Sequence, residues 1–234
     1  MKLLYFSPTN MSTTEAGVRE KQKREAMLNR LVSPGVEVCI SDNPEGPLSI
    51  ETMQDEYNGI PSMLKTLSRV ESQYDGVLTG CFGEPGLDAV RELLNIPAVG
   101  CCGPAIHWAN QLGKRFSILS PVKSAVPFTI DLVEKYGLGT HLASVRPLEI
   151  PVLEIRSDRT GVLNKATEIA RGVLADDGAD SLVLGCMSLA FQDIAGDISR
   201  FLGVPVINPL HASLHALEFL VANGLTPSSL VYKL

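Results

Sequence analysis

Short apolar runs alternate along this chain with stretches whose apolar positions recur every three or four residues. The runs Lys2–Phe6, Val36–Ile40, Gly76–Thr79, Ala98–Cys101, Phe116–Leu119, Leu148–Leu153, Leu182–Leu184 and Val204–Ile207 read as strands. Several are almost continuously apolar, as parallel strands covered on both faces are. Helical spacing fills the gaps. Ser12 followed by Glu15 has the form of a capping box opening a helix to about Leu31. A short helix over Asp88–Leu94 stops before Pro97, and Thr160–Ala175, Phe191–Leu202 and Leu210–Val221 repeat the pattern. This alternation predicts a parallel, doubly wound α/β architecture.

The pattern also repeats on a larger scale. YDGVLTGC (Tyr74–Cys81) is matched by ADSLVLGC (Ala179–Cys186), each a hydrophobic strand running into Gly-Cys. Each is followed by a helix and an Ile-Pro or Val-Pro strand, NIPAVG (Asn95–Gly100) and GVPVIN (Gly203–Asn208). LLYFSPTN (Leu3–Asn10) is likewise matched by FSILSPVKS (Phe116–Ser124). The cysteines stand 105 positions apart (81 to 186) and the prolines of the Ser-Pro pairs 113 (8 to 121). That period is far longer than a solenoid repeat and predicts two similar domains, each with a sheet of about four strands. The first takes residues 1–101 plus 209–234 and carries Cys81; the second takes 102–208 and carries Cys186.

Both cysteines of the repeat fall at the carboxyl end of a buried strand, the edge where open α/β sheets bind ligands. Each stands before a predicted helix, whose free N–H groups and dipole favour the thiolate. Gly80 and Gly185 are expected to let the chain turn sharply, with Gly83, Pro85 and Gly86 shaping the first loop. A single Gly-Cys would read as a small buried hydrophobe; two at equivalent points of a duplication point to chemistry. If a pseudo-two-fold axis sets the thiols on either side of one ligand, one thiolate removes a proton from a carbon acid. The opposite thiol then protonates the other face, inverting the centre without metal, flavin or pyridoxal phosphate. N–H groups at the helix starts would stabilise the carbanion as an oxyanion.

Composition narrows the partners. With 234 residues, 45% hydrophobic, 20% charged, a net charge of −6 and a pI near 5.3, the chain has no basic footprint for nucleic acid or anionic membrane. No apolar run reaches the roughly 18 residues of a membrane span, and the apolar stretch in MKLLYFSPTN is too short for a signal peptide. Five cysteines, an odd number, read as reduced thiols of a cytoplasmic protein. A small-molecule substrate is the expected partner, and a homo-oligomer is compatible with the pattern.

The loop GCFGEPGLDAVRELLNIPAVG (Gly80–Gly100), GPLSIET (Gly46–Thr52) with DEY (Asp55–Tyr57), RPLEIPVLEI (Arg146–Ile155) and LVLGCMSLA (Leu182–Ala190) span nearly the whole chain. In them the sequence resembles the aspartate/glutamate/hydantoin racemase superfamily, and within it the hydantoin and allantoin racemases. The resemblance implies two flavodoxin-like domains with the active site between them, and Cys81 and Cys186 as paired acid/base residues. Departures fall where that family lines its substrate. Glu84 stands where the branch usually has Asp, Met187-Ser188-Leu189 where it tends to have Ala-Gly-Met, and Ser7 and Thr9 where it has Asn. Arylmalonate decarboxylases of the superfamily work with one cysteine, corresponding to Cys186, so Cys81 favours a racemase. Amino-acid racemases of the superfamily follow a cysteine with Asn-Thr; Phe82-Gly83 and Met187-Ser188 suit a compact neutral ring better. A 5-substituted hydantoin or allantoin is therefore the expected substrate, with an Asp/Glu-type amino acid or an arylmalonate as alternatives.

The expected substrate-binding set is Ser7, Thr9, Asn10, Phe82, Gly83, Ser120, Lys123, Ser124, Met187 and Ser188. For Ser120, Lys123 and Ser124 a helix cap with a solvated lysine fits equally well, and Thr9 and Asn10 carry the same ambiguity. His211 and His215 share a helical face without the intervening Glu of a zinc protease, and no metal is expected. A cysteine hydrolase using Cys186 with His211 as base is the alternative from another class. Its elbow needs Gly-x-Cys-x-Gly spacing, which Gly185 and Ser188 do not supply, and it leaves Cys81 idle. Cys39 reads as core, Cys101 and Cys102 as non-catalytic, and His107 and Trp108 as packing residues of a connecting helix.

Overall fold

The computed structural model describes residues 1–233 and contains two parallel four-stranded sheets. The first is built from β1 (Lys2–Ser7), β2 (Glu37–Asp42), β3 (Gly76–Thr79) and β4 (Ala98–Val99), in the order β2-β1-β3-β4. The second takes β5 (Phe116–Ser120), β6 (Leu142–Pro147), β7 (Ser181–Leu184) and β8 (Val206–Ile207), in the corresponding order β6-β5-β7-β8. The helices are α1 (Glu15–Leu31), α2 (Met53–Val70), α3 (Leu87–Leu93), α4 (Cys102–Leu112), α5 (Val126–Lys135), α6 (Arg159–Gly172), α7 (Met187–Phe191), α8 (Ala195–Leu202), α9 (Pro209–Ala222) and α10 (Ser229–Tyr232). The chain packs as two compact units. One holds residues 1–50, 54–100 and those from Ser213 on; the other holds 51–53 and 101–212.

In the first unit Leu4, Phe6 and Val77 of the sheet pack on Met63 and Leu67 of α2 and on Leu87, Val90 and Leu94 at α3. In the second, Leu119, Leu182 and Leu184 pack on Val162, Ala166 and Ala170 of α6 and on Ile194 and Ile198 at α8. Each such Leu, Val or Phe contributes about 1.5–3 kcal/mol by leaving water, and together they hold the central strands in fixed register. Phe6 lies opposite Thr79 in one sheet and Leu119 opposite Leu184 in the other.

Several boundaries differ from the sequence expectation, each for a local reason. The strand expected at Leu148–Leu153 is a loop, and β6 precedes it. Glu149 adopts a left-handed φ of 55°, and the N–H groups of Leu148 and Ile150 turn back to the carbonyls of Ser120 and Pro121. Leu148 and Ile155 still enter the core, so the segment's apolarity reports burial and not a strand. Helix α1 is capped by Thr14, whose Oγ1 accepts the Gly17 N–H at 3.0 Å; Ser12 is taken by Asp42, to which its hydroxyl donates at 2.8 Å. The helix expected over Phe191–Leu202 is two, broken where Asp193 takes a φ of 52°. The run Ala98–Cys101 is a strand only to Val99, and α4 begins at Cys102. Helix α6 gives way after Gly172 to a wider π turn, Val173–Asp177. Helix α2 had no sequence counterpart, because Gly59 and Pro61 lie inside it.

Candidate active site

The carboxyl edge of each sheet is built by one recurring device. In the first unit the Gly80 N–H donates to the Phe6 carbonyl at 2.7 Å; in the second the Gly185 N–H donates to the Leu119 carbonyl at 2.8 Å. These bonds prolong β3 and β7 by one residue and deliver Cys81 and Cys186 at equivalent points beside the ends of β1 and β5. Both glycines answer to close packing and not to a left-handed turn, since neither has a positive φ. A Cβ at Gly80 would collide with the Tyr5 ring, whose hydroxyl donates to the Gly80 carbonyl at 3.2 Å, and one at Gly185 would press on Ile118 and the Leu119 carbonyl.

Beyond the cysteines the two edges diverge. Cys186 stands directly before α7, extended at φ −157°, its carbonyl accepting the Ala190 N–H at 2.9 Å while its thiol leaves the helix start uncapped. Cys81 does not stand directly before a helix as expected. Five residues intervene, among them Glu84, left-handed at φ 54°, and Gly86 at φ 63°. Two bonds steady this loop, Glu84 N–H to the Cys81 carbonyl and Leu87 N–H to the Glu84 carbonyl, both 3.2 Å. Cys81 is half-buried and Cys186 buried.

Around Cys81 the first edge presents Ser7, 3% exposed, sharing a 2.9 Å hydrogen bond with the hydroxyl of half-buried Thr9. Phe82, buried, and Gly83, half-buried, follow Cys81 directly in the chain. Asn10 comes next, but its amide is spent on the Pro44 carbonyl and its N–H on that of Pro47, so it fastens a loop. Around Cys186 the second edge presents Met187 and Ser188, both buried in α7, and Ser120, fully buried, which donates to the Val122 carbonyl at 3.2 Å. Lys123 and Ser124 are exposed, and the Ser124 hydroxyl donates to the Glu51 carbonyl at 2.7 Å.

The remaining cysteines and histidines differ in exposure and partners. Cys101 and Cys102 are fully buried, whereas Cys39 is only half-buried, its side chain 3.7 Å from a Glu37 carboxyl oxygen. His107 and Trp108 lie on the exposed face of α4, with His107 edge-on to Tyr136. His215 is exposed and paired with Glu218 at 2.6 Å; His211 is half-buried. Among the described residues no group of three His, Cys, Asp or Glu is placed to hold a metal, and no helix is long and apolar enough to cross a membrane.

Four polar residues that shape these edges escaped the sequence reading. Asp42, ending β2, accepts the N–H groups of Met11 and Ser12, the Ser12 hydroxyl and the Lys21 ammonium. Burial opposes its charge, yet the bonds from Lys21 and Ser12 prevail and lower its pKa. Fully buried Asn43 donates to the Gly59 carbonyl at 3.0 Å and so seats α2. Glu51 packs with the second unit, accepting the Val152 N–H at 2.9 Å. Glu56, in the first turn of α2, has its pKa pushed up by burial to about 7, with one carboxyl oxygen buried and unbonded. The polar run Ser41-Asp42-Asn43-Pro44 is a turn signal that could have flagged the first two; Glu51 and Glu56 fall in the segments GPLSIET and DEY, which carry the resemblance but assign neither residue a role.

The chain is similar to known proteins over most of its length. Residues 10–217 match the family model Asp/Glu/Hydantoin racemase. A hydantoin racemase of Rhizobium meliloti is 34% identical over 195 residues, covering 82% of this chain and 79% of that one. A hydantoin racemase of Paenarthrobacter aurescens is 31% identical over 226 residues, 96% and 92% of the two chains. Among solved structures, an allantoin racemase from Klebsiella pneumoniae is similar with a TM-score of 0.88 and 30% identity, covering 98% of this chain and 91% of that one.

Proposed function

The chain belongs to the Asp/Glu/hydantoin racemase family and is an isomerase of the racemase type, and we propose from that premise that it inverts the ring stereocentre of a 5-substituted hydantoin or of allantoin, with Cys81 and Cys186 as the two acid/base groups. The observation that carries the reading is the repeated strand end: Gly-Cys held by the same backbone bond beside the central strand of each sheet.

The hydrogen on the ring carbon is acidic because the adjacent carbonyl takes up the charge as an enolate. One cysteine thiolate breaks the C–H bond and becomes a thiol, leaving the electron pair on the substrate. The other thiol gives its proton to the opposite face and is left as thiolate. Turnover in the reverse direction, or exchange with water, restores the starting protonation. No electrons leave the substrate, so the residues need no redox partner. Buried Phe82 and Met187 next to the two thiols suit a compact neutral ring better than a free carboxylate. Five free thiols fit a reducing compartment, and we place the protein in the cytoplasm.

The test uses each enantiomer of a 5-substituted hydantoin in heavy water, tracked by polarimetry and mass spectrometry. Cys81→Ser and Cys186→Ser are each expected to lose racemisation by at least about 100-fold while exchanging the ring proton of one enantiomer without inverting it, opposite enantiomers for the two variants. Full racemase activity in Cys81→Ser would overturn the two-base reading. Release of an acid would point to the hydrolase, and release of carbon dioxide to a decarboxylase.

A further inference from the structure

Helix α3, which succeeds the Cys81 loop, has only seven residues, far too few to be stable alone. Its inner face is anchored by Leu87 and Val90 in the core. Its outer face is gripped by residues more than 130 positions later in the chain. The Tyr232 hydroxyl reaches Asp88, in the first turn, at 3.4 Å. The Arg91 guanidinium lies 6.0 Å from the Tyr232 ring centroid and bonds both Asp88, at 3.2 Å, and the Ala98 carbonyl, at 3.3 Å. At the far end the Lys233 ammonium donates to the carbonyls of Glu92 and Leu94, each at 2.7 Å. Those are the carbonyls a helix end leaves unsatisfied, and a cation there also meets the negative end of the dipole. The tail gains little else from the arrangement, since Leu230 is 87% exposed and Val231 58%.

We infer that Tyr232 and Lys233 are positioning residues for Cys81, acting through α3; the inference rests on the acid/base role given to Cys81 above. The path is short. The tail fixes α3, the Leu87 N–H ties α3 to the Glu84 carbonyl, and the Glu84 N–H ties that residue to the Cys81 carbonyl. Cys186 runs directly into α7, every residue of which is buried, and needs no such support. The tail therefore tunes one of the two thiols and not the other.

The test compares full-length protein carrying Tyr232→Ala with Lys233→Met, and protein carrying the single conservative changes Tyr232→Phe and Lys233→Arg. Alkylation of Cys81 and of Cys186 by iodoacetamide is timed by mass spectrometry, and ring-proton exchange is measured for each enantiomer of a 5-substituted hydantoin. In the double variant the Cys81 alkylation rate is expected to change at least about 3-fold with Cys186 unchanged. The kcat for racemisation is expected to fall about 10-fold with KM nearly constant, and proton exchange to fail on the enantiomer lost in Cys81→Ser. Lys233→Arg keeps the cation on the helix end and is expected to stay near the parent. An unchanged Cys81 rate overturns the inference, as does an equal change at both cysteines accompanied by a lower unfolding midpoint. Should Cys81→Ser still racemise, the proposed function falls while the ratio of alkylation rates still decides the role of the tail.

Discussion

Glu56 gives a prediction that depends on no assumption about substrate. Its carboxyl sits in the first turn of α2 with Oε1 buried and unbonded, and burial alone raises its pKa from 4.5 to about 7. The folded chain thus holds this proton to higher pH than the unfolded chain does. The corresponding stability is complete below about pH 4.5, is lost as pH rises toward 7, and stays lost above it. At about 1.4 kcal/mol per pH unit the full move is worth about 3 kcal/mol, and partial solvent access lowers the expectation to about 2 kcal/mol. Glu56→Gln keeps the shape and removes the charge. Urea unfolding is expected to find parent and variant within about 0.5 kcal/mol near pH 5 and the variant more stable by about 2 kcal/mol near pH 8.5. A carbon-13 titration of the Glu56 carboxyl should show its midpoint close to neutrality. If the variant gains nothing between these pH values, the carboxylate is satisfied in the folded chain and the reasoning fails.

Two further expectations concern the frame of the first edge. Thr14→Ala removes the cap of α1 and is expected to lower stability by about 1 kcal/mol in a urea titration, whereas an Asp42-independent cap role for Ser12 would make Ser12→Ala the equal of it. Asp42 has a lowered pKa, so its stabilisation is present above its ordinary value of 3.8 and vanishes as pH falls through the folded value. Asp42→Asn should therefore lose about 2 kcal/mol at neutral pH by urea unfolding, and the gap to the parent should close in acid.

What could be read from the sequence is what repeats or lies in the middle of a sheet. Strands β1, β3, β5 and β7 are central, covered on both faces, and their mostly apolar runs announce them. The edge strand β6 carries Ala143 and Ser144 half-buried and Arg146 exposed, bonded to Asp177 at 2.8 Å, and so lacks that signature. Its apolar neighbours 148–153 mimicked a strand because a loop that dips into the core is as apolar as one. Helix α2 was hidden by Gly59 and Pro61, and the bond from Asn43 to the Gly59 carbonyl that seats it comes from outside the helix. Asp42, Glu51, Tyr232 and Lys233 all work on partners 21 or more residues away. A linear pattern carries no record of such pairs.

The two halves of the repeat have diverged unevenly. Duplication has kept what a thiol at a strand end requires: a glycine too crowded for a side chain, one backbone bond to the neighbouring strand, and the cysteine next. It has not kept the segment after the cysteine. The second cysteine runs at once into a helix sealed in the core, while the first runs through left-handed Glu84 and Gly86 into a short helix that a distant tail holds in place. The differences between the halves therefore lie in the segment that follows the cysteine, and what they share lies at the strand end itself.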